Sequence, residues 1–258
     1  MQNAALHELG LAPAWRYEAI DVAPEAFDER VRAMPAQGFA GANATVPHKL
    51  AALRVAGEVS AAAREIGAAN TLSFRDGLIV ADNTDAPGLL AAIGEPPRGK
   101  RALVLGAGGA ARAAAWALDR GGAEVAVWNR TPDRGRLLAA GLGVSADERP
   151  DATSYDLIVN ATTVGLAKAS GRAGPGLKAL PLDADAIHEG QTVVDLVYGP
   201  AETELTRAAR ERGARVVDGL EVLVHQGAAS LRIWTGTEPP IETMMRAARA
   251  SDAARQSP

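Results

Sequence analysis

Apolar and polar positions along this chain follow two rhythms. From residue 101 onward, apolar runs of strand length recur at RALVLG (101–106), AEVAVWN (123–129), DLIVNA (156–161), TVVDLVY (192–198) and ARVVDG (214–219). Between most of them lie helical stretches: GAARAAAWALDRGG (109–122), PDRGRLLAAG (132–141) and ETELTRAARERG (202–213). Near-continuous apolar strands separated by helices of about a dozen residues predict parallel βαβ units with helices on both faces of a sheet. The first third is choppier. It reads as strands over 15–22, 38–46, 68–74 and 78–83, the last two joined by a hairpin turn at Asp76-Gly77, with helices over 24–34, 48–57, 58–67 and 85–94. GEPPRGK (94–100) is the best linker candidate, 167–185 reads as surface loop, and two helices close the chain at 220–236 and 240–250. The fold class is therefore α/β, with a Rossmann-like second half.

Composition narrows the function classes. The chain has 258 residues, 47% of them apolar, which suffices for a core without staples. With no cysteine, there is no disulfide, thiolate metal site or thiol nucleophile. A net charge of −4 gives no reason to expect nucleic acid or an anionic membrane as partner. No run of 18 apolar residues and no basic n-region with an apolar core is present, so a soluble, cytoplasmic protein is expected. Only four of the 27 basic residues are lysines (Lys49, Lys100, Lys168, Lys178). A lysine held in a structured motif is thus a candidate for proton chemistry that guanidinium does not perform.

Gly106, Gly108 and Ala111 fit G-x-G-x-x-[GA] directly after an apolar strand and at the start of a helix. That context predicts a dinucleotide pyrophosphate at the tight turn and the helix N-terminus; a tight turn without ligand is the alternative. The following strand ends in Asn129-Arg130-Thr131, with Arg134 one turn later, and lacks the terminal acid that would bind an adenine ribose. Forked guanidinium donors match a 2′-phosphate, so NADP is favoured over NAD, against a merely solvated Arg pair. Two polar motifs, Asn43-Ala-Thr45-Val-Pro47-His48-Lys49 and Asp82-Asn83-Thr84-Asp85, fall where strands end, as does Asn70. A Lys49–Asp85 pair there could manage a proton at an alcohol or carbonyl carbon while a nicotinamide manages the hydride; a surface ion pair is the alternative. His48 reads as a first-turn residue facing solvent, and His225 is ambiguous. The four histidines have no metal-ligand spacing, so no metal is expected.

G-A-N-A-T-V-P-H-K, I-G-A-A-N-T, D-N-T-D-A-x-G, L-G-A-G-G-A-A-R-A, W-N-R-T-x-x-R, V-N-A-T, D-L-V-Y and D-G-L-x-x-L-x-x-Q-G-A together resemble the shikimate dehydrogenase family, in its order and over nearly the whole chain. The resemblance implies NADP-dependent reduction of 3-dehydroshikimate to shikimate by a monomer or homodimer. It also implies a substrate domain at 1–85 and 220–258, to which the C-terminal helices return, and an NADP-binding domain at 86–219. Lys49 matches the acid/base lysine and Asp85 its partner; Thr45, Asn70, Tyr198 and Gln226 match substrate contacts. Gly106, Ala107, Gly108, Gly109 and Ala110 match the pyrophosphate loop, Asn129, Arg130, Thr131 and Arg134 the 2′-phosphate clamp, and Leu196 and Gly219 the backbone at the nicotinamide end. A quinate/shikimate-type or aminoshikimate dehydrogenase is the alternative within enzymes, and a catalytically impaired NADP-binding homologue the alternative outside them. Family members open with a strand carrying Gly-x-Pro-x-x-His-Ser-x-Ser-Pro, and Met1 aligns just after it. The resemblance thus implies weak or no turnover by these 258 residues alone, restored by an upstream Ser-x-Ser strand.

Overall fold

The computed structural model describes residues 1–166, 176–199 and 202–254. Its first half is built on a small mixed sheet of β1 (Gly41–Asn43), β2 (Glu58–Val59), β3 (Thr71–Arg75) and β4 (Leu78–Asp82) in the order β1-β3-β4-β2. Asp76 and Gly77 both have positive φ, 51° and 77°, as a tight two-residue hairpin between β3 and β4 requires. Helices α1 (Gln2–Glu8), α2 (Phe27–Ala33), α3 (Lys49–Val55) and α4 (Ala61–Ile66) accompany this sheet. The strand expected at 15–22 does not form. Tyr17 is tied through its backbone to the side chain of Asn3, and a cavity of about 740 Å³ lies between this extended segment and β1. A strand exists only beside a ladder partner, and none of the described residues supplies one.

After α5 (Asp85–Ile93) comes the second sheet: β5 (Arg101–Leu105), β6 (Glu124–Trp128), β7 (Ser145–Ala146), β8 (Leu157–Asn160), β9 (Thr192–Asp195) and β10 (Arg215–Val217). The order β10-β9-β8-β5-β6-β7 is parallel throughout, with α6 (Gly109–Arg120), α7 (Pro132–Leu142) and α8 (Glu204–Glu211) as crossovers. Leu103, Leu105, Ile158 and Val193 fill one face, and Ala102, Val104, Val159 and Val194 the other. This is why these strands read as unbroken apolar runs. Part of the loop expected at 167–185 lies outside the described residues; its remainder contains two single 3₁₀ turns.

The last helices, α9 (Gly219–Thr235) and α10 (Ile241–Ala254), return to the first half. There Val224, Leu231 and Met244 pack with Ala5 and Leu6 of α1. Ala113 and Ala117 of α6 meet Ile66, Ala68 and Ala86, so the alanine bias serves close approach between the two halves.

Candidate active site

Pro47 stops the run through β1, and Lys49 becomes the first residue of α3. Asp85 opens α5, where the helix dipole favours a carboxylate. Asn83, rather than Asp85, caps that helix: its Oδ1 accepts from Ala86 N at 3.1 Å and its Nδ2 donates to Ala68 O at 2.9 Å. The Asp85 side chain is thereby free to meet Lys49, whose Nζ lies 2.6 Å from Asp85 Oδ2. Both side chains are mostly buried, 14% and 16% exposed, unlike a surface ion pair.

Asn70, buried just before β3, holds the other carboxylate oxygen. The Thr84 backbone N–H can only donate, so the Asn70 atom 2.7 Å from it is Oδ1. The amide is thereby oriented. Its Nδ2 faces Asp85 Oδ1 at 3.0 Å, Gln226 Oε1 at 3.0 Å and Thr84 Oγ1 at 2.9 Å. Beneath it the hydroxyls of Thr71, Thr84 and Ser230 lie 2.8–3.0 Å apart. Asn43 Nδ2 donates to Ser230 Oγ, and Ser230 Oγ donates to the Gln226 carbonyl. These small polar groups pin α9 to the first sheet. Gly88 of α5 allows the approach: a Cβ there would stand 2.7 Å from Gln226 N. Tyr17 donates to Asn43 Oδ1 at 3.0 Å, and burial, reinforced by nearby Tyr198, pushes its phenol above the ordinary range. Tyr198 is 45% exposed, and Thr45 is exposed on the loop between β1 and α3.

In the second half, Gly106 has φ +119°, and a Cβ on it would strike the Ala161 carbonyl at 2.8 Å. Gly108 has open space where a side chain would be, while the next residue, Gly109, packs against the stem of Lys49. Ala107, Gly108, Gly109 and Ala110 thus present backbone at the start of a 12-residue helix, which suits a diphosphate. Asn129, Arg130, Thr131 and Arg134 line the turn from β6 into α7, with Asn129 Nδ2 bonded to Thr131 O. Arg136 takes both nearby acids, Asp133 and Glu148. Among the described residues no acid is within ion-pair distance of Arg130 or Arg134, so an anion can be received there. At the end of β9, buried Asp195 accepts from Asn160, Thr203 and Val197 N, anchoring the segment that carries Leu196 and Tyr198. Burial pushes its carboxyl above the ordinary range against these three hydrogen bonds. Gly219 lies under this segment, where a Cβ would meet Val197 O at 2.7 Å.

The expected residues thus form two neighbouring groups. Lys49, Asp85, Asn70 and Gln226 meet directly, Tyr198 approaches from the second half, and Thr45 makes no side-chain hydrogen bond among the described residues. His48 does not face solvent: it stacks on Phe27 with ring centroids 4.5 Å apart and bonds Val22 O through Nε2. His225 is half-buried on α9, and burial holds its imidazole below the ordinary range. Thr84, Thr71, Asn43 and Ser230 carry no site signal of their own in the sequence, although Asn43 and Thr84 lie inside the two polar motifs. No metal-holding cluster of His or acidic residues and no helix long and apolar enough to cross a membrane occurs among the described residues.

Residues 1–72 match the family described as shikimate dehydrogenase substrate binding domain, and residues 219–249 the shikimate 5′-dehydrogenase C-terminal domain. Shikimate dehydrogenase (NADP(+)) of Thermus thermophilus is 45% identical over 252 residues, covering 96% of this chain and 91% of the relative. A crystal structure of shikimate 5-dehydrogenase from Thermus thermophilus, in complex with NADP(H) and shikimate, is 43% identical with a TM-score of 0.86, covering 97% of this chain and 92% of that one. The ligand-free 5-ketofructose reductase of a Gluconobacter species is similar at 30% identity and a TM-score of 0.82, covering 96% and 91%. With identity above 40% spread over nearly the full length of both chains, this chain belongs to the shikimate dehydrogenase family.

Proposed function

We propose that this protein is an NADP-dependent dehydrogenase interconverting 3-dehydroshikimate and shikimate. Lys49 and Asp85 are its acid–base pair. One observation carries the assignment: a mostly buried Lys49–Asp85 pair, 2.6 Å apart, stands among uncharged donors and acceptors directly beside the glycine loop. NADP, when bound, exchanges a hydride with the substrate carbon. In the reductive direction the carbonyl oxygen takes its proton from the Lys49 ammonium, leaving the amine; in the oxidative direction the same step runs backwards and the hydroxyl proton passes to the Lys49 amine. Asp85 holds Lys49 with one oxygen and is itself held by Asn70 through the other. Asn70, Gln226, Thr45 and Tyr198 supply hydrogen bonds that suit a ring bearing hydroxyls and a carboxylate.

The residues around the glycine loop fit the cofactor. Backbone from Gly106 to Ala110 would hold the diphosphate, Asn129, Arg130, Thr131 and Arg134 would take the 2′-phosphate, and Leu196 and Gly219 would border the nicotinamide end. Residues 1–85 and 220–258 then form the substrate side and 86–219 the cofactor side, with α5 packed between α9 and α6. The test is a spectrophotometric assay of NADP reduction with shikimate, with quinate, and with NAD in place of NADP. The expected result is shikimate-dependent reduction that prefers NADP. Reduction driven equally well by quinate, or preference for NAD, would overturn the reading.

A further inference from the structure

The three glycines of the loop lack side chains for three different reasons. Gly106 has a left-handed backbone against the Ala161 carbonyl, and Gly108 faces open space. Gly109 faces the other half of the molecule: a Cβ on it would stand 2.9 Å from Lys49 Cβ, 3.2 Å from Lys49 Cδ and 3.6 Å from Ala68 Cβ. Carbon–carbon contacts are most favourable at about 3.5–4.0 Å, so an added methyl requires displacement. The crowded atom is Cβ, fixed to the backbone, and not the free end of the side chain. That backbone is constrained in turn, since Lys49 O accepts from Ala69 N at 3.0 Å and Ala68 O accepts from Asn83 Nδ2 at 2.9 Å. Ala69 precedes Asn70, and Asn83 caps the helix that Asp85 opens. Any shift of Lys49 or Ala68 therefore reaches Asn70, which holds the Asp85 carboxylate, and Asn83, the cap of that helix.

We infer that Gly109 is a positioning residue for Lys49. The missing side chain lets the first turn of α6 rest on the lysine stem and keeps Nζ against Asp85, so the cofactor loop and the proton-transfer pair are set by one contact. The loop has two working sides: Gly108 faces the cofactor and Gly109 faces the lysine. This inference rests on the acid–base role proposed above for Lys49, but the contact itself is present without any ligand.

The test compares Gly109→Ala with Gly108→Ala. Gly108 has φ −87° and ψ −174°, which alanine adopts without strain, so its substitution reads contact with the cofactor alone. Gly109→Ala is expected to lower kcat for shikimate oxidation, measured at saturating NADP, by about tenfold to a hundredfold, as misplacement of a reacting group by roughly an ångström does, with a smaller loss of NADP affinity than Gly108→Ala shows. Gly108→Ala is expected to weaken NADP binding and spare kcat at saturation. The second readout needs no turnover: the cofactor-free protein is acylated with acetic anhydride and each lysine followed by mass spectrometry. Gly109→Ala should raise the labelling rate of Lys49 severalfold and leave Lys100, just ahead of β5 and remote from the pair, unchanged as the control for folding. Wild-type labelling of Lys49 in Gly109→Ala would overturn the inference, as would a loss of NADP affinity equal to that of Gly108→Ala with kcat intact. A wild-type protein that fails to oxidise shikimate while Gly109→Ala still exposes Lys49 would instead contradict the proposed reaction.

Discussion

Lys49 Nζ and Asp85 Oδ2 lie 2.6 Å apart across 36 residues of sequence, each on the first residue of its own helix. Neither helix start is incidental. Pro47 lies in the turn between β1 and α3, two residues ahead of Lys49, and Asn83 caps α5 so that Asp85 is not consumed as its own helix cap. The expected consequence is that Asp85→Asn keeps the fold and the Asn70 contact but loses the charge facing Lys49. Steady-state kinetics should record a fall in kcat/KM for shikimate of about 10² or more, the usual contribution of a group in general acid–base catalysis.

Glycine-to-alanine substitution should have opposite signs at two helical sites. Gly88 is pressed against the Gln226 backbone, so Gly88→Ala forces α5 and α9 apart; overpacking of this kind costs about 1–3 kcal/mol. Gly141, exposed near the end of α7 with nothing within 4 Å of its would-be Cβ, should gain about 0.4–1 kcal/mol on the same change. Urea denaturation measures both. Gly88→Ala should also raise the KM for shikimate, because Gln226 moves with α9, and Gly141→Ala should not.

Arg130→Ala should discriminate between cofactors. A charge-assisted hydrogen bond to a 2′-phosphate is worth about 1.5–3 kcal/mol, or roughly tenfold to a hundredfold in affinity. The KM for NADP should rise by that factor while the KM for NAD, which has no such phosphate, stays near its wild-type value. Equal losses would assign Arg130 to the structure of the β6–α7 turn.

Asp195 makes a prediction about pH. Its carboxyl is raised by burial, so the folded protein holds this proton more tightly than the unfolded chain does. Stability from this group is then present at acid pH and declines as the pH rises through the raised value. Asp195→Asn removes that titration. Denaturation from just below the ordinary aspartate range up to neutrality should show the wild type losing more stability than the variant. Identical pH dependences would contradict this reading of Asp195.

Much of the second half is legible in the sequence because its physics is local. A buried parallel strand is an apolar run, and a phosphate loop is glycines at fixed spacing before a helix. The polar motifs at 43–49 and 82–85 are legible for a related reason, since clustered polar residues at strand ends stand out against the apolar runs they follow. What escapes is set by distant partners. Ser230 and Thr71 look like ordinary helix and strand residues until α9 returns to the first sheet and seals their hydroxyls against Asn43 and Thr84. His48 reads as solvent-facing because nothing in its own segment reveals Phe27 above it. The stretch 15–22 has the composition of a strand, but strand formation depends on a neighbour, which composition does not supply.

Lys49 is the group proposed to carry the proton in both directions. Its direct test is Lys49→Ala, with shikimate-dependent NADP reduction and NADP affinity measured on the same preparation. The expected result is a loss of kcat/KM of about 10² or more with NADP affinity within about threefold of wild type, because Lys49 touches the loop only through its stem. A variant that retains wild-type kcat/KM, or that loses NADP binding and turnover in equal measure, would contradict the account.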